Sequence, residues 1–198
     1  MSTLALNIKM DGKQAIIIGG GTVALRKLVT LLKTGALVTV VAPEICPEIR
    51  ALENSGALKS RAGAYAATDL DNAFLVIAAT DDAMINELVR AEAQSRGIMV
   101  VVADNPSAGD CTFPAILQRG DLQIAVSTGG NCPTFAADLR DYIAGHIGDE
   151  FGDALGQLAA ERQKLLTNGS SSTYNVQVLR SLARRLIAEL TERKESLP

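Results

Sequence analysis

Short apolar runs alternate with amphipathic segments through the first half of the chain. Five runs predict β-strands: AIIIG, ALVTVVA, ALKSRA, AFLVIAAT and IMVVVAD, in chain order. The segments between them have apolar residues at helical spacing, as Leu25, Leu28 and Leu32 show in the first, and they predict helices near 22–35, 44–56 and 81–97. Uniformly apolar strands suit a parallel sheet buried on both faces. The pattern therefore predicts an α/β chain with a Rossmann-type, doubly wound parallel sheet.

The pattern changes after Asp104. The segment AILQRGDLQIAVS predicts two strands about a turn at 119–121, and a helix is expected over about 133–146. From Asp149 onward we expect helices only, interrupted by a polar linker near 167–172. These changes divide the chain into a Rossmann domain (1–112), a small region with a strand pair and a helix (113–147) and a helical C-terminal domain (148–198).

Composition narrows the class of protein. The 198 residues are 47% hydrophobic, with a mean hydropathy of +0.18, which is typical of a compact globular protein. The net charge of -3 argues against a nucleic-acid binder. We see neither a secretion signal nor an apolar run approaching the roughly 18 residues of a membrane span, so we expect a cytoplasmic protein without a membrane partner.

The cysteines and the histidine also exclude some chemistry. The three cysteines are far apart and indicate reduced thiols in a cytosolic protein. His146 is the only histidine, so we expect no zinc site and no histidine-based nucleophile relay. Its position near the end of a predicted helix suits a cation that interacts favourably with the helix dipole.

A glycine fingerprint follows the first predicted strand. Gly19, Gly21 and Ala24 fit the G-x-G-x-x-A pattern at a helix start. The first glycine permits a tight turn, the second lets the backbone approach a pyrophosphate, and the small third residue lets helix and strand pack. The free N–H groups at the helix N-terminus would then face the phosphates. The pattern predicts dinucleotide binding; a merely tight strand-helix turn is the alternative.

The second predicted strand lacks the usual acidic residue at its end. That residue normally binds the ribose hydroxyls. Here the strand ends with Ala42 and Pro43, and the first acid, Glu44, comes slightly late. No Arg or Lys stands beside Glu44 in the sequence to hold a 2′-phosphate, so we expect NAD rather than NADP.

Two further loops belong to the carboxyl edge of the predicted sheet, where ligands of open α/β folds bind. In the first, we expect Thr80 and Asp81 to border the cofactor. Capping of the next helix is the alternative for Asp81 and the favoured interpretation for Asp82. In the second, Asp104 precedes no helix, so capping explains it poorly. Its carboxylate could position substrate or accept a proton, and a turn-forming aspartate is the alternative.

Past this edge, a third loop combines hydroxyls with a glycine pair between a strand and a helix. Its candidate substrate-binding residues are Ser127, Thr128, Gly129 and Gly130. Exposed amides in such a loop favour an anion, and a glycine-rich turn capped by Asn131 is the alternative. Arg119 is a candidate for binding substrate carboxylates, although arginines are commonly solvated at the surface.

Several segments together carry a resemblance to a known family. IIIGGGTVALRK, VTVVAPEI, VIAATDD, VVVADNP and FPAILQRGDLQIAVSTGGNCP occur in an order and at a spacing similar to those of the precorrin-2 dehydrogenases. That family includes the N-terminal half of siroheme synthase and a stand-alone dehydrogenase/ferrochelatase. The resemblance extends to about residue 145. The segment SAGDCTFPA departs from it in being less apolar, and the tail after Asp149 matches only in being helical.

The resemblance implies an NAD-dependent oxidation of precorrin-2, a tetrapyrrole, to sirohydrochlorin. Thr22 and Val23 match the turn against the dinucleotide, and Pro43 with Glu44 matches its adenosine side. Asp104 matches the main catalytic carboxylate. Thr128 matches a hydroxyl near the substrate pocket. The resemblance also implies a homodimer, with a dimerisation region that begins near Phe113 and fills 113–147.

Three alternatives stay open at this point. Family members differ in whether they also insert iron into sirohydrochlorin, so ferrochelation is an additional activity to test. An NAD-binding regulatory or sensor domain without turnover would explain the glycine turn but gives Asp104 no role. An unrelated small-molecule oxidoreductase is the third, although three Tyr, one His and no Trp leave few of the usual acid–base groups.

Overall fold

The computed structural model describes residues 3–167 and 172–195. The chain divides into two compact units, residues 1–112 and 113–198, which are described separately here. Among the described residues, no helix has both the length and the apolar character needed to cross a membrane. The roles assigned to the three regions, and the further boundary at residue 147, stay predictions.

The first unit is an open parallel sheet with helices. Its strands are β1 (Gln14–Ile18), β2 (Leu37–Ala42), β3 (Lys59–Ala62), β4 (Leu75–Ala78) and β5 (Met99–Val102). Its helices are α1 (Thr22–Leu32), α2 (Pro47–Asn54) and α3 (Ala83–Ser95). The strand order is β3-β2-β1-β4-β5, and all four pairings are parallel. This order confirms the predicted doubly wound sheet, whose topological switch point lies between β1 and β4.

Burial on both faces explains why β1 is apolar after its first residue, Gln14, which is exposed. Ile16 and Ile18 belong to a buried cluster with Leu70 and with Val89 of α3. Ile17, whose side chain points to the opposite face, is also fully buried. On α1, the residues Ala24, Leu28 and Leu31 are buried. The strand is therefore covered by packed elements on both sides, as its hydrophobicity predicts.

Three local features differ from the sequence prediction. Helix α2 begins at Pro47 and not near Glu44, because Cys46 is extended and proline is well suited to the first helical position. A short 3₁₀ helix, Ala67–Leu70, was not predicted. Helix α1 ends at Leu32, three residues before the expected stop at Gly35, which adopts a positive φ of 75° in the following turn.

The second unit begins with the predicted hairpin. Strand β6 (Ala115–Arg119) pairs antiparallel with β7 (Leu122–Val126), and Arg119 lies opposite Leu122 across the turn. Three helices follow: α4 (Pro133–His146), α5 (Glu150–Thr167) and α6 (Ser172–Glu195). The linker predicted near 167–172 falls largely on residues 168–171, which lie outside the described residues.

Candidate active site

The glycine turn after β1 has two crowded positions and one open position. A Cβ atom on Gly19, whose φ is +128°, would lie 2.2 Å from the carbonyl oxygen of Ala79. On Gly20 it would lie 2.0 Å from the carbonyl oxygen of Glu44. On Gly21 it would meet no heavy atom of the described residues within 4 Å. The first two glycines are thus needed for packing within the chain, whereas Gly21 leaves open space in front of the turn.

That open space adjoins the N-terminus of α1. Gly21 is the N-cap residue, and no side chain caps the first turn, which contains no acidic residue. Thr22 is exposed and Val23 is half-buried, while Ala24 is fully buried against the sheet. Uncapped amides and the helix dipole favour an anion here, so the local structure fits the phosphates of a dinucleotide.

The end of β2 is locked against the same turn. The amide of Cys46 donates a hydrogen bond to the carbonyl oxygen of Gly20 at 2.9 Å, and the amide of Gly19 donates to that of Val41 at 2.9 Å. Pro43 and Glu44 are exposed beside it. The two residues expected on the adenosine side therefore follow directly from a strand end fastened to the glycine turn.

The loop after β4 is held by a buried amide. Asn86 of α3 is 1% exposed, and its Oδ1 accepts hydrogen bonds from the backbone amide of Thr80 at 3.1 Å and from its hydroxyl at 2.8 Å. Its Nδ2 donates back to the Thr80 carbonyl at 3.1 Å. Asp82 accepts from the amides of Met84 and Ile85, which confirms the predicted helix cap. Asp81 is exposed at the same edge.

Asp104 lies just beyond β5, at the same carboxyl edge of the sheet. No helix begins there, and the side chain is exposed. Within the described residues, its carboxylate accepts no hydrogen bond and forms no ion pair. The loop then turns back, and the amide of Asp110 donates to the carbonyl oxygen of Val100 at 2.8 Å. Asp104 is consequently a carboxylate at the ligand edge that no neighbouring group occupies.

The third candidate loop, in the second unit, is an ordered turn. Gly129 and Gly130 have φ values of +61° and +86°. The Ser127 hydroxyl accepts a hydrogen bond from the Gly129 amide at 3.2 Å, and the Thr128 hydroxyl accepts one from the Cys132 amide at 3.1 Å. Asn131 is not the helix cap: Cys132 occupies that position, and the Asn131 side chain donates to the Thr128 carbonyl at 2.8 Å. The cap in that alternative was therefore wrongly assigned.

Arg119 and His146 make bonds within the second unit. Nε of Arg119 donates to the carbonyl oxygen of Ile147 at 3.0 Å and lies 3.4 Å from a carboxylate oxygen of Asp149. These bonds tie the end of β6 to the α4–α5 connection. Nδ1 of His146 lies 2.9 Å from the carbonyl oxygen of Tyr142, one turn earlier in α4. His146 is in the last turn of α4, where a positive charge would interact favourably with the helix dipole.

Comparison with protein families identifies the family to which the first unit belongs. Residues 6–115, more than half of the chain, match the family described as putative NAD(P)-binding. The chain belongs to this NAD(P)-binding family. Residues 119–146 match a second family, described as the central part of a sirohaem biosynthesis protein.

Relatives and a solved structure extend the likeness beyond the first unit. A siroheme synthase of Pseudomonas entomophila is 40% identical over 165 residues, which cover 83% of this chain and 36% of that protein. One of Nitrosococcus oceani is 34% identical over 201 residues, 98% of this chain and 43% of that protein. The chain thus spans less than half the length of these curated relatives. They confirm the resemblance to siroheme synthase.

The fold has a counterpart among solved structures. The precorrin-2 dehydrogenase SirC superposes with a TM-score of 0.76 and 24% sequence identity, covering 96% of this chain and all of that one. At this identity the likeness shows the fold, including a helical C-terminal region after the α/β part. It therefore supports the predicted fold class for the NAD(P)-binding chain.

Two features of the NAD(P)-binding unit were missed by sequence reasoning. Asn86 holds the loop after β4, but in the sequence it is one polar residue inside an amphipathic helix. Arg61 of β3 is the second: β2 and β3 pair with Val41 opposite Arg61, which brings an arginine to the end of β2. The expectation that no basic residue stands beside Glu44 considered neighbours along the chain only, and it left out an arginine that the sheet register brings near the end of β2. Strand register was the signal that could have found Arg61.

No group of three or more His, Cys, Asp or Glu side chains in the described parts of the chain is arranged to hold a metal ion. The role of each candidate residue in cofactor or substrate binding stays a prediction.

Proposed function

We propose that this chain catalyses the NAD⁺-dependent oxidation of precorrin-2 to sirohydrochlorin. Two features at the same edge of the sheet carry the proposal: a glycine turn with open space before it, and a carboxylate that has no bonding partner among the described residues. Gly21 leaves space before uncapped amides, and Asp104 follows the strand two places from β1 in the sheet. The siroheme synthase relatives and the fold shared with SirC support this substrate class.

The cradle fits a dinucleotide. The amides of Thr22 and Val23 would hold the pyrophosphate, Pro43 and Glu44 would border the adenosine, and Thr80 with Asp81 would border the other half. NAD⁺ bound there supplies the hydride acceptor. The rigid placement of Thr80 by Asn86 keeps the loop after β4 in one conformation before the ligand arrives, which reduces the ordering cost of binding.

Asp104 supplies the proton acceptor in this proposal. Oxidation of precorrin-2 releases one hydride and one proton, and an exposed carboxylate that makes no bond to the described residues is able to take the proton. In the second unit, the turn at Gly129 and Gly130, the hydroxyls of Ser127 and Thr128, and the Arg119 guanidinium are proposed to bind carboxylates of the tetrapyrrole.

We also propose a cytoplasmic homodimer. The second unit exposes large apolar side chains, with Phe135 58% and Tyr142 66% exposed. Its sheet has only two strands among the described residues, and an isolated hairpin is marginally stable. Both features suit a surface that a second copy covers. Ferrochelation stays an additional activity to test.

The experiment follows the visible spectrum of enzymatically made precorrin-2 under anaerobic conditions. Sirohydrochlorin should form with wild-type protein only when NAD⁺ is present, and Fe²⁺ added afterwards tests chelation. Asp104→Asn should abolish turnover while NADH binding is retained. Asp110→Asn is the matched control: it should lower the melting temperature through its bonds to β5 and α3 but leave turnover measurable.

Two results would contradict the proposal. Normal turnover by Asp104→Asn would remove this carboxylate from the mechanism. NADH binding by the wild type without any spectral change would favour the regulatory alternative.

A further inference from the structure

An arginine of β3 lies opposite the end of β2 and is already held in an ion pair. Arg61 lies opposite Val41, and the amide of Gly63 donates to the carbonyl oxygen of Ala42 at 3.0 Å. A Cβ atom on Gly63 would lie only 2.8 Å from Nη1 of Arg61. The guanidinium therefore lies close to Gly63, whose amide is bonded to the last residue of β2, and the absence of a side chain on Gly63 leaves room for it.

This is the edge at which NAD and NADP are distinguished in dinucleotide-binding folds. An acidic residue at the end of the second strand binds the free ribose hydroxyls, whereas an arginine nearby accommodates the 2′-phosphate. Here both an acidic residue and an arginine are present: Glu44 is exposed after β2, and Arg61 of β3 lies opposite Val41 of β2. The preference then depends on whether Arg61 is free to meet a phosphate.

Asp69 of the 3₁₀ helix holds Arg61 in a two-pronged ion pair. Nε donates to Oδ1 at 2.7 Å and Nη2 donates to Oδ2, while Nη2 also donates to the carbonyl oxygen of Ala64 at 2.8 Å. Asp69 is itself fixed, because Oδ2 accepts from the amide of Ala66 at 2.8 Å and its side chain is 9% exposed. The hydrogen bonds that Arg61 donates to Asp69 raise the pKa of the Arg61 guanidinium.

We propose that Asp69 sets the cofactor preference of this chain by holding Arg61 in an ion pair, so that NAD is bound in preference to NADP. The planar guanidinium directs its donors to one bidentate acceptor at a time. Meeting a 2′-phosphate would require Arg61 to leave a partner that is already charged, well ordered and mostly buried. The inference rests on the proposed function, since it concerns the same dinucleotide site.

The test measures dissociation constants for NADH and NADPH, by nucleotide fluorescence at one fixed ionic strength, because charge contacts are salt-dependent. Asp69→Asn removes the charge and keeps an amide oxygen for the Ala66 amide. We expect it to improve NADPH binding relative to NADH by about tenfold, the effect of about one charge-assisted hydrogen bond. Adding Arg61→Gln to this variant should return the ratio to the wild-type value.

A matched control comes from a second arginine–aspartate pair in the same unit. Arg96, at the C-terminus of α3, donates to Asp71 at 2.9 Å. Asp71→Asn changes the net charge as Asp69→Asn does. The arginine that it releases, however, lies between α3 and the start of β5 and not at the end of β2. It should leave the NADPH-to-NADH ratio unchanged.

Three outcomes would count against the inference. An unchanged ratio in folded Asp69→Asn that still binds NADH would refute it. So would weaker NADPH binding in Arg61→Gln alone, because Arg61 would then already contact the phosphate; this arm also serves if Asp69→Asn does not fold. Wild-type protein that binds neither nucleotide would overturn the proposed function itself, and this inference with it.

Discussion

Gly21 offers a way to separate the fold from cofactor binding. Gly21→Asp places a carboxylate in the open space before α1. Gly21 has φ −91° and ψ −168°, extended values that any residue adopts, and its Cβ would contact no described atom. Aspartate is also a preferred N-cap residue. The substitution should therefore leave the melting temperature unchanged or slightly higher, because the new side chain can cap Val23 or Ala24.

The same carboxylate should weaken binding of the dinucleotide for two reasons. It occupies the amides that the phosphates would use, and it repels them. Two unit charges 4 Å apart interact with about 1 kcal/mol in water and about 4 kcal/mol near a protein surface. The expected loss of NADH affinity is thus between about fivefold and several hundredfold. Gly20→Ala should have the opposite effect, a loss of stability and not of NADH affinity. Its Cβ would lie 2.0 Å from the Glu44 carbonyl oxygen.

Isothermal titration with NADH and thermal unfolding of the same samples make the comparison. Gly20→Ala should cost about 1–3 kcal/mol, as overpacking does, and about 2–4 °C in melting temperature per kcal/mol for a chain of this size. Gly156→Asp adds the same charge on α5, where a Cβ also meets nothing, and should bind NADH normally. Normal NADH binding by Gly21→Asp would refute our placement of the pyrophosphate.

Two further predictions concern the cap of α3 and the thiols. Asp82→Ala should lower the melting temperature by about 2–4 °C, because the cap is worth about 1 kcal/mol. Asp82→Asn should stay close to wild type. Equal unfolding curves for Asp82→Ala and wild type would contradict the cap. Burial, with a smaller effect of Asp110, raises the pKa of Cys111, which disfavours its reactive thiolate, and Cys111 is only half-exposed whereas Cys132 is exposed. Iodoacetamide at pH 8 should therefore label Cys132 first, and equal rates measured by mass spectrometry would oppose this order.

The fold was largely predictable because the strong local signals agree with one another. The apolar runs in β1, β4 and β5 predict strands buried on both faces, and the helices between them have clear apolar stripes. The boundary of α2 was missed because a proline can start a helix as well as end one. The 3₁₀ helix at Ala67–Leu70 was missed because one short turn leaves no periodic pattern to detect.

The candidate site was predictable only where its residues are neighbours in the sequence. The glycine turn, with Gly19 and Gly21 two residues apart, has a local signature. Arg61 and Asp69 could not be found in this way, because Arg61 reaches the end of β2 only through the register of β2 with β3. Asn86 was missed for a different reason: one polar residue inside an amphipathic helix gives no pattern that separates a buried, bonded amide from a solvated one.

The two aspartates after β5 show how similar residues acquire different roles. Sequence reasoning singles out Asp104 because no helix follows it, yet Asp110 has the same property. The structure distinguishes them by their partners. Asp110 accepts from the Val100 amide at 3.2 Å and from the Gln94 side chain at 3.0 Å, so its carboxylate fastens the returning loop to β5 and α3. The loop is thereby held at both ends, and Asp104 at its start presents a carboxylate that makes no bond to the described residues.

A carboxylate that stabilises the fold has its acceptors filled, whereas one that receives a substrate proton needs them open. For this reason the loss of Asp110 should appear in the melting temperature, and that of Asp104 in turnover.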